Sequence, residues 1–220
     1  MFEHSLKNAY IGYAREPWAD TVAYYPFKTN RNDYSGNGYN VTNTYSTTIA
    51  DFNWVSCLNF NGSMCQVWTI DTLTSYSNYT IIARFYCINS TATCIFFKEW
   101  GSWGGSGFST WDASWNQIRW GNTTNTYSQI SSPISWTWVL CGVTALNWVW
   151  SFYINWVQTI YKSSWVIAPN HNTTPLSIGG TEAGTASSSG YLSELIIEKK
   201  WWTDQEVLNY YNKTKANYWL

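Results

Sequence analysis

The stretch GYLSELIIEKKWWTDQEVLNYY, residues 190–211, decides the fold. Its first half, LSELII, alternates apolar and polar side chains, the period-2 pattern of a strand with one apolar and one polar face. Its second half changes period. Thr203 and Glu206 form a capping box, in which the Thr hydroxyl accepts the Glu206 N–H and the Glu carboxylate reaches back to the Thr203 N–H. Val207, Leu208, Tyr210 and Tyr211 then give the helix an apolar side, so it is expected to lie across a sheet and to end by about Lys215.

Outward from there, strand candidates recur along the chain. They are TVAYYPF (21–27), CLNF (57–60), QVWTI (66–70), YTIIARFYCI (79–88), TCIFFKEW (93–100), NQIRWG (116–121), TWVLCGVTAL (137–146), VWSFYI (149–154), PLSIGG (175–180) and GYLSELIIE (190–198). Turn clusters of Asn, Gly, Ser and Thr separate them, which predicts antiparallel pairing and not a βαβ plan. SFYI repeats the alternation of LSELII, as a two-sheet sandwich requires. The 220 residues are 45% hydrophobic and only 11% charged, too few charges for the solvent faces of a helical bundle. No linker interrupts the middle. Residues 1–19 show neither alternation nor a helical stripe and contain Pro17–Trp18, so they read as an arm, with the domain over 20–216 and a tail at 217–220.

A formal net charge of −1 leaves no basic surplus to neutralise a phosphate backbone, and nucleic acid is not an expected partner. Residues 1–10 carry Glu3, His4, Lys7 and Asn8 and lack the apolar core of a signal peptide, and no apolar run reaches membrane-spanning length. The chain therefore reads as soluble and without a cleaved export signal. Its five cysteines show no CxxC spacing and its only histidines are His4 and His171, so a zinc site is not expected. Cys87 and Cys94 flank INSTAT (88–93), read as a hairpin turn, across which they either form a disulfide or stay small, half-buried core thiols. The sequons at Asn40, Asn61, Asn78, Asn89, Asn122, Asn172 and Asn212 read as polar turn residues and not as glycan acceptors.

Several segments, in order, resemble the laminin-G-like domains of the concanavalin A-like lectin and glucanase superfamily. AYYPFKTNRNDYSGNGYNVT (23–42) is similar to that family's first strand, loop and second strand, and CLNFNGS (57–63) to its third strand and turn. TIIARFYC (80–87) is similar to its central strand, WVLCGVT (138–144) with SFYIN (151–155) to a hairpin, and residues 190–211 to its closing strand and capped helix. The resemblance covers residues 20–216 and implies an all-β, two-sheet antiparallel jelly-roll sandwich with one short C-terminal helix. It also implies adhesion to glycans or proteins, sometimes with calcium, for which Asp33 and neighbouring loop oxygens are the candidate ligands. Domains of this kind preceded by a short arm resemble structural or decoration parts of phage and other virus particles, or of cell surfaces. In that setting residues 1–19 are expected to dock on a neighbouring subunit. A free, possibly calcium-dependent lectin is the alternative.

Hydrolases of that superfamily carry a Glu-x-Asp-x-x-Glu strand motif, which is absent. Glu194 and Glu198 come nearest and are expected to be a solvent-facing pair on an outer face or edge. EWGSWGGSGF (99–108) lacks the lysine of a phosphate loop, and neither histidine belongs to a recognisable catalytic triad. The chain is not expected to be an enzyme.

Seventeen tryptophans stand out. Trp100, Trp103, Trp111 and Trp115 fall in a Gly- and Ser-rich region with Asp112 and Asn116, a composition suited to stacking on sugar rings and binding their hydroxyls. Trp68, Trp136, Trp138 and Trp150 read as strand aromatics of the core and edges. Asn53–Trp54, Asn147–Trp148 and Asn155–Trp156 sit where Asn-Gly hairpin turns are natural, and Ser114–Trp115 and Ser164–Trp165 are similar. Beside the sugar-surface and core readings, these positions admit a third: that some are glycine in the native protein, through a UGA codon.

Overall fold

The computed structural model describes residues 19–42, 44–60, 62–67, 78–88, 93–98, 106–111, 117–121, 126–131, 137–147, 149–162, 176–179 and 189–218. Their strands are β1 (Thr21–Tyr25), β2 (Thr48–Phe52), β3 (Val55–Asn59), β4 (Cys65–Val67), β5 (Tyr79–Cys87), β6 (Thr93–Lys98) and β7 (Ser106–Trp111). There follow β8 (Gln117–Gly121), β9 (Thr126–Ser131), β10 (Trp138–Leu146), β11 (Val149–Ile154), β12 (Val157–Lys162), β13 (Leu176–Ile178) and β14 (Gly190–Glu198). Helix α1 (Asp204–Thr214) and a 3-10 turn (Lys215–Tyr218) close the chain.

The strands form two antiparallel sheets, ordered β12-β11-β10-β5-β14-β3-β2 and β4-β13-β6-β7-β8-β9. Strand β14 takes two partners on one side: β3 pairs at Tyr191 and Leu192, and β1 pairs along Leu195–Glu198. The all-β sandwich with a short terminal helix expected from the sequence is therefore what forms. The first and last strands are neighbours, with Thr21 opposite Glu198, so closing the sheet depends on contacts made across nearly the whole chain.

Four strands were missing from the sequence expectation: β2, β7, β9 and β12. Their polar and Gly/Ser-rich sequences, TIADF, SGFSTW, TYSQIS and VQTIYK, carry weak hydrophobic patterns and form by pairing with stronger neighbours. The hairpin expected around INSTAT does not form between its flanking strands: β5 pairs with β10 and β14 in one sheet, and β6 with β7 and β13 in the other. The side chains of those two cysteines lie outside the described residues; Cys57, Cys65 and Cys141 are buried.

The larger core lies between the sheets and contains Ala23, Tyr25, Leu58, Phe60, Ile81, Phe85, Val143, Phe152, Leu195 and Ile197. A second forms on the other face of the eight-stranded sheet, where α1 lays Val207 and Tyr211 on Tyr24, Ile82, Leu140, Tyr153 and Ile196. Leu208 and Tyr210, counted with the helix's apolar side, are only half-buried. The capping box forms as expected: Glu206 N–H donates to Thr203 Oγ1 at 3.2 Å, and Thr203 N–H donates to Glu206 Oε2 at 2.8 Å.

Because α1 covers the outer face, the polar face expected of LSELII does not reach water. Every residue of β14 except Tyr191 is buried. A bulge between Leu192 and Glu194 reorders the strand, leaving Leu192, Leu195 and Ile197 in the inter-sheet core while Ile196 joins the core under the helix. Packing continues to Tyr218, whose ring lies 5.4 Å from Trp138, beyond the domain end expected at residue 216.

Candidate functional site

Asp33 organises the loop that follows β1. Its Oδ1 accepts the N–H groups of Tyr24 at 2.9 Å and Ser35 at 2.8 Å. Its Oδ2 accepts Ser35 Oγ at 2.7 Å and the Tyr39 N–H at 3.0 Å. An ionised carboxylate offers about four lone-pair positions, and these donors use them all. Asn37 Nδ2 clamps the loop to the strand by donating to the carbonyls of Thr21 and Val22, both at 2.9 Å, and Arg31 donates to the Thr47 carbonyl.

For calcium at Asp33, this arrangement supplies one carboxylate already engaged by four donors. Among the described residues, no three His, Cys, Asp or Glu side chains are grouped to hold a metal ion. The loop's fully exposed side chains are uncharged, while Lys28 and Arg31 are half-buried: Tyr34 is 44% exposed, its hydroxyl accepting from Asn30 Nδ2 at 3.1 Å, with exposed Asn32 and Asn40 on the same loop. Nearby Tyr45 is 51% exposed and donates to Gln66 Oε1 at 3.3 Å. These two tyrosines were not singled out in the sequence. For Tyr34 the signal was an aromatic residue inside DYSGNG, masked by the louder run of tryptophans.

The acidic residues of β14 are structural. Glu194 and Glu198, expected on a solvent face, are both buried beneath α1. Glu194 Oε1 stands 3.3 Å from Nε of the wholly buried Arg84, and its Oε2 accepts the Tyr210 hydroxyl at 2.7 Å. Arg84 in turn donates to the Thr214 carbonyl at 3.2 Å and to its hydroxyl at 2.5 Å, and its guanidinium lies 3.9 Å from the Tyr218 ring centre. Burial, then the charge of Glu194, pushes the Tyr210 phenol well above its ordinary value. Glu198 accepts from Thr21 Oγ1 at 3.2 Å and from the Trp202 indole.

Other described carboxylates also have internal partners. Asp204 accepts the Tyr153 hydroxyl at 2.5 Å; burial and then this bond push Tyr153 up to about 12. Asp51 accepts from Ser56 Oγ at 2.5 Å, and Glu206 holds the capping box and accepts from Lys200 Nζ at 2.7 Å. Three sequon asparagines likewise serve the fold: Asn40, Asn78 and Asn212 accept from Asp33 N–H, Asn147 N–H and Lys215 Nζ.

Of the expected ligand-binding set, Trp100, Trp103, Asp112, Trp115 and Asn116 lie outside the described residues, as do His4, His171 and residues 1–18 of the arm. Trp111 is the last residue of β7, paired with Gln117, so its backbone belongs to a strand and not to a loop. The chain enters β7 at Ser106 and leaves it at Trp111, about 17 Å further on at the usual strand rise. Trp138 is a core aromatic as expected, 4% exposed, with the Tyr86 ring centre 5.7 Å away.

No family model matches the chain, and no curated protein matches it. Solved structures do. Domain 4 of AbnA, a GH43 extracellular arabinanase from Geobacillus stearothermophilus, solved with arabinotriose, is similar at TM-score 0.69 and 18% identity over 86% of this chain and 97% of that one. The binding domain of Paraclostridial Mosquitocidal Protein 1 is similar at TM-score 0.66 and 16% identity over 88% of this chain and 52% of that one. Trypanosoma rangeli sialidase with sialic acid gives TM-score 0.68 and 12% identity over 97% of this chain and 38% of that one. The chain thus spans about half of the toxin domain and a smaller part of the sialidase. At these identities the likeness is one of fold, a β-sandwich.

Proposed function

We propose that this chain is a non-enzymatic binding module of the laminin-G-like type. It would serve on a virus particle or cell surface, residues 1–19 docking on a neighbouring structural subunit. The observation that carries the binding reading is the near-complete correspondence with a domain solved with arabinotriose, which this chain matches over 97% of that domain's length. The toxin structure named as a binding domain supports the same class. The carboxylates of β14 support the non-enzymatic part: Glu194 and Glu198 hold the helix onto the sheet and are shielded from any substrate.

The ligand is proposed to be a glycan that meets Trp100, Trp103, Trp111 and Trp115 with Asp112 and Asn116. Sugar stacks on indole faces, and amide and carboxylate groups hold its hydroxyls. A free glycan-binding lectin, its calcium dependence left to the chelator arm below, is the second reading, and the same arabinotriose complex supports it.

A glycan array that includes arabino-oligosaccharides, run with and without a chelator, tests both. Sugar binding weakened at least tenfold by Trp103→Ala or Trp111→Ala supports the proposed surface, and chelator sensitivity selects the lectin. Silence on every sugar, with particle assembly that fails when residues 1–19 are removed, leaves the structural part and removes the glycan. Release of sugar from a polysaccharide by the purified chain would refute the non-enzymatic reading.

A further inference from the structure

The sequence contains three Asn-Trp pairs, at 53–54, 147–148 and 155–156, and each is followed by valine. Each also fills the two-residue loop of a β-hairpin. Phe52 pairs with Val55, Leu146 with Val149, and Ile154 with Val157, so in every case Asn-Trp is the whole connection. The asparagines sit at φ 49°, 48° and 45°, and the described tryptophans follow at φ 66° for Trp54 and 72° for Trp156. Positive φ at both central residues is the mark of the type I′ turn, whose twist matches that of the flanking strands.

Asparagine tolerates the left-handed region, and glycine is the usual second residue because it has no Cβ to strike the following carbonyl. Tryptophan is among the least suited side chains for that place. Phe27, Tyr45 and Ser46 also have positive φ, so conformation alone does not single out tryptophan. What does is the recurrence: one dipeptide and one loop length at all three places, with positive φ at every asparagine and at both described tryptophans. Tryptophans elsewhere behave differently. Trp138 and Trp202 do not lie at positive φ and are buried, whereas Trp54 and Trp156 are 68% and 43% exposed.

From this we infer that positions 54 and 156, and by the same loop pattern 148, are glycine in the protein its source cell makes, the codon UGA being decoded there as glycine. Trp138 and Trp202 are then true tryptophans encoded by UGG. The inference rests on backbone conformation and is independent of the proposed ligand. It bears on that ligand all the same, since Trp115 follows Ser114 in the proposed sugar surface and falls in the same group as Ser164–Trp165. Fewer indoles would then remain to stack on sugar.

Peptide mass spectrometry of the protein isolated from its source cells is the test. Glycine masses at 54 and 156 with tryptophan at 138 and 202 are expected; tryptophan at 54 and 156 overturns the inference. A second measurement uses the full chain made with tryptophan at all these positions. Trp54→Gly is expected to raise Tm by about 2–4 °C through relief of the left-handed strain. An unchanged or lower Tm would overturn its conformational basis. Trp156→Gly is the harsher trial, because that indole also lies 6.3 Å from the Tyr211 ring.

Discussion

The two faces of the eight-stranded sheet are both buried, and they are buried by different means. Toward the second sheet lie Ala23, Ile81, Phe85, Val143, Phe152, Leu195 and Ile197, joined by the phenols of Tyr25 and Tyr79 and the thiols of Cys65 and Cys141 but by no carboxylate, lysine or arginine in that cluster. Beneath α1, by contrast, apolar Ile82, Leu140 and Ile196 share the surface with Arg84, Glu194 and Glu198. The inner face needs only volume and dryness, so many apolar sets would fill it. The outer face joins a helix to a sheet at one place, and its polar groups fix where the helix lands: Glu194 takes Tyr210, and Arg84 takes the end of the helix at Thr214.

Breaking the outer face at its charge pair should therefore do the most damage. Arg84→Ala leaves Glu194 buried without its cation and is expected to lower stability by about 3–5 kcal/mol in urea unfolding. Replacing both partners together, as Arg84→Met with Glu194→Met, is expected to restore most of that loss, since a well-packed apolar pair can equal a buried ion pair. If the double replacement is as damaging as the single, the charges do more than place the helix. On the inner face, Leu195→Ala is expected to cost about 2–4 kcal/mol, with no rescue from a polar partner.

Smaller effects sharpen the contrast at the helix N-terminus. Thr203→Ala removes the cap and should cost about 1 kcal/mol, read as a lower urea midpoint with an unchanged slope. The Glu206 carboxyl sits below its ordinary value: partial burial raises it, but hydrogen bonds from Lys200 and from the Thr203 backbone and hydroxyl outweigh that. A group whose pKa is lowered by folding stabilises above its unfolded value. This contribution is expected to be complete above the ordinary value of 4.5 and to fade as pH falls through the lower folded one. The Glu206 side chain is 34% exposed and its partner Lys200 42%, so solvent screens the pair; the loss should be the smallest of these effects and should shrink further in salt, as a pH series of unfolding midpoints would record.

Legibility followed the range of the interactions. The capping box was readable because its donors and acceptors lie within four residues, 203–206, and a helix turn brings them together whatever surrounds it. The strong strands were readable for a similar reason, since alternation is a property of neighbours. Strand β7 was not. SGFSTW has the composition of a loop and becomes a strand because β6 and β8 flank it. The proposed sugar surface was legible only as composition, and the backbone of Trp111 turned out to belong to that strand.

Glu194 and Glu198 show the same limit from another side. Their spacing suggested a shared face, but whether that face met water depended on α1, and through Arg84 on a residue 110 positions away from Glu194. Asp33 likewise read as a candidate ligand for calcium, while its actual partners are the N–H groups of Tyr24, Ser35 and Tyr39 and the Ser35 hydroxyl.

The class of fold, the terminal helix with its cap and the Asn-led hairpin turns are written in local sequence, because period, capping and turn preference act over a few residues. The division of strands between two sheets, the burial of the acidic residues and the neighbours of each loop were decided by tertiary structure. These depend on partners such as Thr21 and Glu198, which the chain brings together only when the sheet closes.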